Sequence, residues 1–297
     1  MIYKNKIKNA FLESDISQTH KRKAKKVFER IGRYEKEIGK DISQMDEKEL
    51  LECLGYIEVV DIVNVIRCGS ALRNYVQYIK TNSVLPDVSD AITKINFDDV
   101  DVSQFMSDVY FFSTDELVEE YQKYSKRSET HPEIIVWLLQ YYGIDVSKAV
   151  SLDEHDVNLQ EQIINCDGKI IHIDDVTTAV METYKSLLPK TLTCNTFIKR
   201  LDDTPYEAHQ IGMMTSKFNT RYYIEHPDYL WETSRFCQNS LNDGGLMYRV
   251  HKAEEAGEID LNNSKVIDTD IINTLKPYRV VKWMYKNYQR ALVKRGI

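Results

Sequence analysis

The stretch from Thr130 to Asp175, THPEIIVWLLQYYGIDVSKAVSLDEHDVNLQEQIINCDGKIIHIDD, decides the fold. Thr130 with Glu133 three residues on has capping-box spacing, Pro132 suits a first helical turn, and the following IIVWLLQYY is apolar around nearly the whole circumference of a helix. The pattern predicts a core helix. Gly143 supplies a left-handed residue to end it, and Asp145 or Ser147 caps a short second helix through Ala149 to Leu152. The alternation then becomes that of strands. Asp167-Gly168, set between Gln162-Ile163-Ile164 and Ile170-Ile171-His172-Ile173, predicts a hairpin with a two-residue turn.

The chain has 297 residues, 42% of them hydrophobic, enough for one large core or two smaller ones, and two domains is the expectation. No uninterrupted apolar run reaches the ~18 residues of a membrane span, and the amino terminus MIYKNKIKNAF lacks the apolar run of a signal peptide, so a cytoplasmic protein with no membrane contact is expected. Cys53, Cys68, Cys166, Cys194 and Cys237 are odd in number and show no CxxC spacing, which favours free thiols over a disulfide framework or zinc knuckle. HExxH, GxSxG and a glycine-rich phosphate loop are missing, and the seven histidines show no paired metal spacing. No metal and no cofactor is expected.

The net charge of −7 hides a division. Residues 1–40 carry twelve Lys/Arg against five Asp/Glu, a local +7, and residues 278–297 carry six against none, leaving −20 between them. Basic ends on an acidic body suit a polyanionic partner, because the local field steers association while the acidic remainder resists non-specific adhesion. A solvated, charged surface would read the same way in composition alone.

Along the chain, Val27, Phe28, Ile31, Tyr34 and Ile38 recur at helical spacing in a helix from Ser17 to Ile38 that opens on HKRKAKK. Asp46 and Glu49 form a second capping-box pair, with Met45 at the staple position. A longer helix is predicted from Val59 to Thr81, with Ile62, Val65, Ile66, Leu72, Val76 and Ile79 inward. From Asn82 to Thr114 the pattern breaks up and reads as a linker, with a domain boundary near residue 100. Ser113 or Thr114 caps DELVEEYQKYS; VTTAVMETYKSLL is a helix closed by Pro189; and Thr193 caps a short helix TFIKRL. A Tyr-rich region runs to Tyr229, a helix is expected through Trp231 to Leu241, and Asp243 starts another that Gly257 stops. The tail KPYRVVKWMYKNYQRALVKRG reads as a basic, aromatic helix.

The buried helix, the box GIDVSKAVSL and HDVN before a hairpin resemble the start of the catalytic domain of tyrosine recombinases, the phage integrases, whose helix ends in G-L-R-x-S-E-x-x-x-L. The run KKVFERIGRYEKEIGKDISQMDEKELLECL with SALRNYVQYIKTN resembles the core-binding domain that precedes it. GGLMYRVHKAEE, NKIKNAFLES and TFIKRL resemble a catalytically degenerate branch of that family, the MrpR lysogeny repressors of SPbeta-type phages. The resemblance implies a mainly α fold with a small β-hairpin or sheet: a helical, SAM-like core-binding domain with its linker over 1–100, then a degenerate integrase catalytic-like domain over 101–297. It puts Asp145 where the family's first active-site arginine stands, Lys148 where a glutamate stands, and, through NSLNDGGLMYR, Asn242 where the second arginine stands. Lys169 would be the retained hairpin lysine, and Tyr285 and Tyr288 fill the place of the nucleophile by default. At about 4 Å and an effective dielectric of 20, two unit charges interact by roughly 4 kcal/mol, so a carboxylate in place of an arginine repels the phosphate that must be activated.

The implied function is a transcriptional repressor of a phage or prophage in the bacterial host cytoplasm, binding operator sites on double-stranded DNA without catalysis. Self-association or a regulatory protein would supply a further partner. An active recombinase with a rearranged site, and an interaction protein that has lost DNA binding, are the two alternatives. On the repressor reading Lys21, Arg22, Lys25 and Lys26 contact phosphates, Lys199 and Arg200 enter the groove, and Arg73, Arg249, Lys286 and Arg290 complete the DNA-facing set.

Overall fold

The computed structural model describes residues 2–14, 17–59, 61–125, 131–229, 231–261 and 274–297. The described chain is mainly helical, with one three-stranded antiparallel sheet. By its contacts it divides into a unit of Met1–Asp108 with Arg279–Ile297 and a unit of Val109–Tyr278.

In the first unit, α1 (Asn5–Glu13) precedes α2 (Gln18–Ile38), which starts where the Ser17 hydroxyl accepts the His20 N–H at 3.4 Å and ends at Gly39 in the left-handed region. Ala24, Val27, Phe28, Ile31 and Tyr34 are its buried stripe. α3 (Glu47–Leu54) has the expected reciprocal cap: Asp46 accepts the Glu49 N–H at 2.9 Å and Glu49 accepts the Asp46 N–H at 3.0 Å. Met45 beside it is fully buried. α4 (Ile62–Thr81) begins three residues later than the periodicity suggests, because the Asp61 carboxylate accepts the Val63 N–H and fixes the start. Its Tyr75 ring meets Phe11 and Phe28 edge-on, which ties α1, α2 and α4 into one core.

Residues 82–114 are not the loose linker expected. Short helices α5 (Ala91–Lys94) and α6 (Ser103–Val109) occur there, and Ile92, Ile95, Phe97, Val100, Val102, Phe105 and Met106 are buried. The apolar pairs that look irregular in sequence are these buried residues, carried inward by the short turns. The tail helix (Tyr278–Arg295) packs in this same unit, where it buries Val281, Trp283, Met284, Tyr285, Tyr288 and Ala291.

The second unit opens with α7 (Thr114–Tyr124), capped as predicted by Ser113, whose hydroxyl accepts the Glu116 N–H at 3.1 Å. Every residue of α8 (Pro132–Tyr141) is buried, and Gly143 follows at φ 85°. Thr130 lies outside the described residues; His131 is the N-cap and makes no side-chain cap, while Glu133 accepts the Tyr121 hydroxyl. α9 (Val146–Ser151) follows, and then β1 (Val157–Asn158), β2 (Ile163–Cys166) and β3 (Lys169–His172) pair antiparallel in that order. Asp167 and Gly168 turn the hairpin at φ 54° and 74°, as a type I′ turn requires, and the paired Ile164 and Ile171 face the core.

α10 (Asp175–Leu187) is the expected helix before Pro189. TFIKRL is not a helix. Thr196 bridges Asp153 and Lys199 bridges Pro205 in extended form, while Asp203 holds the Thr193 N–H and hydroxyl, so Phe197 and Ile198 are both buried without a helical period. The Tyr-rich region instead contains an 18-residue helix, α11 (Ala208–Glu225). The two helices expected around Trp231–Leu241 and from Asp243 are one, α12 (Gln238–Glu255); Asp243 lies inside it and pairs with Lys276, and Gly257 stops it at φ 73°. α12 crosses α8 at Gly245, where an added Cβ would lie 1.9 Å from the Tyr141 carbonyl oxygen, so only glycine allows the approach.

Candidate nucleic-acid interface

The solvent face of α2 is a row of cations. Arg22, Lys23, Lys25, Lys26 and Arg33 are exposed and Lys21 and Arg30 half-buried, on the side opposite Val27, Phe28 and Ile31. α4 packs against α2, and its own exposed positions carry hydrogen-bonding side chains at helical spacing: Arg67, Ser70, Asn74 and Gln77. Burial pushes the Cys68 thiol up, and the positive charges of Arg30 and Lys23 on α2 act against that shift. The face thus offers charge from one helix and directional donors and acceptors from the next. Arg67, Ser70, Asn74 and Gln77 were absent from the sequence-derived set; their signal is the complement of the buried stripe Val65, Leu72, Val76 and Ile79.

In the second unit, Asp145 stands at the N-cap of α9 and Gln238 is the first residue of α12, and the Gln238 amide donates to the Asp145 carboxylate at 3.0 Å. Asn242 follows one turn along α12, its Oδ1 buried with no hydrogen-bond partner among the described residues. An ion pair from Lys148 to Asp167 joins α9 to the hairpin turn, beside which Lys169 is exposed on β3. The two positions compared with phosphate-binding arginines therefore present a carboxylate and an amide. Nearby arginines serve the fold: Arg235 pairs with Glu116 at 2.7 Å and Glu120 at 3.5 Å over the Phe111 ring, and Arg249 donates to the Tyr141 carbonyl, with burial pulling its guanidinium down to about 10. Asp153, His155 and Asp156 lie close enough to share a cation, but they are solvent-facing and Asp156 accepts the Asp153 N–H at 3.1 Å, a capping role that explains the cluster.

Residues 2–81, which hold α1 to α4 and their cationic face, match the family described as MrpR, N-terminal core-binding domain. The first unit carries an MrpR core-binding domain. Over the whole chain the fold is similar to the XerA recombinase, at 12% identity and TM-score 0.43, covering 98% of this chain and 97% of that one. It is similar at 12% identity and TM-score 0.43 to a Tn1549 transposon integrase in complex with circular intermediate DNA, covering 99% of both chains. For a lambda integrase dimer bound to a COC' core site, the values are 12% and 0.37, over 94% of this chain and 93% of that one. No curated protein matches the chain in sequence. Among the described residues no helix is long and apolar enough to cross a membrane.

The ten basic residues singled out from the sequence separate into distinct environments. Lys21, Arg22, Lys25 and Lys26 lie on the open α2 face of the MrpR core-binding domain. Arg73, on α4 of the same domain, is turned inward: its guanidinium lies 5.0 Å from the Phe97 ring and its Nε donates to the Ile92 carbonyl. Lys199 is 4% exposed and is held by Glu154 and the Cys194 carbonyl, both at 2.5 Å, while Arg200 is exposed and paired with Asp202 at 2.8 Å. Arg249 is half-buried as described. In the tail helix, Lys286 faces Asp99 at 3.9 Å and Arg290 faces Asp101 at 4.0 Å. Tyr285 and Tyr288 are core residues of the first unit, whereas Asp145, Lys169 and Asn242 belong to the second. All five cysteines are free thiols, Cys53 and Cys166 buried and the others half-buried.

Proposed function

We propose that the protein is a sequence-specific duplex-DNA-binding repressor of a phage or prophage that holds its site through the α2 and α4 face and does not cut it. The observation that carries this reading is the pairing of a cationic helix with one whose exposed face is mainly uncharged hydrogen-bonding side chains, inside the MrpR core-binding domain. Lysines and arginines on α2 suit phosphates, which give affinity without sequence information; Asn74 and Gln77 have the amides that read adenine edges, and Arg67 the fork that reads guanine. On this reading the groove is read from α4, with Lys199 buried against Glu154 and Arg200 paired with Asp202 at the surface.

Absence of catalysis is part of the proposal. Strand cleavage on this fold needs positive charge on the phosphate as the transition state forms, and Asp145 and Asn242 supply none. A mobility-shift assay against fragments of the genome that encodes the chain tests the reading. With about six to ten phosphates contacted, log affinity falls against log salt with a slope of roughly −5 to −9. Lys25→Ala with Lys26→Ala weakens binding to every sequence and reduces that slope, whereas Asn74→Ala costs about 1–3 kcal/mol on the retained fragment and little on random DNA. No retarded fragment at low salt refutes the proposal.

A further inference from the structure

A cavity of about 300 Å³ opens between α7, α8 and α10 in the second unit. Its walls are apolar: Val118 from α7, Ile134 and Ile135 from α8, Val180 and Leu187 from α10. Gln122 and Thr183 also line it, both exposed to solvent, and one further polar group reaches inside. His131, at the N-cap of α8, lines the cavity with its ring edge-on to Tyr121 at 5.4 Å, and its Nδ1 is buried with no hydrogen-bond partner among the described residues. Leu187, at the rim, is 54% exposed.

We propose that this cavity is a binding site for a small apolar molecule bearing one hydroxyl, of the size of a substituted phenol. Three observations select that class. The volume lies at the small end of those that bind organic ligands and is too small for a folded peptide element. The walls offer dispersion contacts and few polar partners, so an apolar body fills them better than water does. The single unbonded nitrogen requires one complementary group, and a hydroxyl suits either tautomer of the imidazole because it can donate or accept. A buried polar atom left unbonded weakens the fold, and a ligand that completes it recovers that loss on binding. None of this depends on the DNA-binding face, so the site stands or falls separately from the repressor reading.

The test titrates phenol, and in parallel toluene, into the full chain, reading heat and melting temperature. Phenol saturates at one equivalent with a Kd of ~1 mM or tighter and raises the melting temperature. His131→Phe keeps the ring but removes the nitrogen; it weakens phenol about tenfold and leaves toluene within about twofold. Thr183 is exposed at the rim on α10, so Thr183→Trp leaves the helix folded, which circular dichroism verifies, while it obstructs both ligands. Phenol that does not saturate, His131→Phe that affects both ligands alike, or a folded Thr183→Trp variant that binds as the wild type does would each overturn the proposal.

Discussion

Asn287, fully buried in the tail helix, accepts the backbone N–H of Val102 at 3.0 Å, joining residues 185 positions apart inside the first unit. Its own amide donates to the Trp283 carbonyl at 3.1 Å, so the side chain is fixed from both ends. Asn287→Leu keeps the volume but leaves the Val102 N–H buried and unbonded. The expected loss is about 1–3 kcal/mol, read as a lower urea midpoint with an unchanged slope.

Lys8, Glu35 and Asp41 are buried together beneath Tyr75, with Lys8 Nζ 2.5 Å from Glu35 Oε1 and the Tyr75 hydroxyl 3.0 Å from Asp41. Burial outweighs the attraction of Lys8 and pushes the Glu35 carboxyl up to about 7 from an ordinary 4.5. The folded chain therefore keeps a proton that the unfolded chain releases. That stabilisation is complete below pH 4.5 and is lost as pH rises through about 7. Glu35→Gln should flatten the dependence, removing a change of roughly 3 kcal/mol between those limits; the difference between the two unfolding profiles across pH measures it.

Gly245→Ala should be among the most damaging single-methyl additions. Its Cβ would overlap the Tyr141 carbonyl, a backbone atom of the fully buried α8 that has no room to yield. A destabilisation of about 1–3 kcal/mol or more is expected from thermal unfolding, with Gly168 to Asn in the hairpin turn as the mild comparison, since αL residues there tolerate asparagine.

Lys199→Met separates a structural from a DNA-binding role. The side chain is 4% exposed and fixed by Glu154 and the Cys194 carbonyl, but Glu154 is partly open to water, so its lost partner is partly replaced. Stability should fall by about 1–2 kcal/mol while affinity for the retained DNA fragment stays within about twofold. A larger loss of affinity would return Lys199 to the groove.

The elements that were legible in sequence share a dense local signal. α8 is apolar on every side, Asp46 and Glu49 cap each other across three residues, and Asp167-Gly168 adopts the positive φ values that its turn needs. α11 gives little signal in sequence because its buried residues are few, Ile211, Phe218 and Tyr222, and its cap is the uncommon Glu207 with Gln210. TFIKRL misled because what holds it lies elsewhere: Asp153 bridges Thr196 and Glu154 takes Lys199, both more than forty positions upstream. The α2 phosphate row is visible as charge, whereas the α4 face, with Arg67 as its one cation among Ser70, Asn74 and Gln77, emerges only once the buried stripe of that helix is known. Arg73 and Arg249 show the converse, since a positive charge in sequence says nothing about whether it stacks on Phe97 or caps the Tyr141 carbonyl.

The central claim is binding without cleavage, and a nicked suicide substrate built from the retained genomic fragment tests it most directly. On a native gel the protein should retard that DNA; on a denaturing gel of the same mixture no protein should remain linked to it, and Asp145→Arg alone should not create such a band. A covalent protein–DNA band from the wild-type chain that disappears on Tyr285→Phe or Tyr288→Phe would make the protein a recombinase and contradict the account.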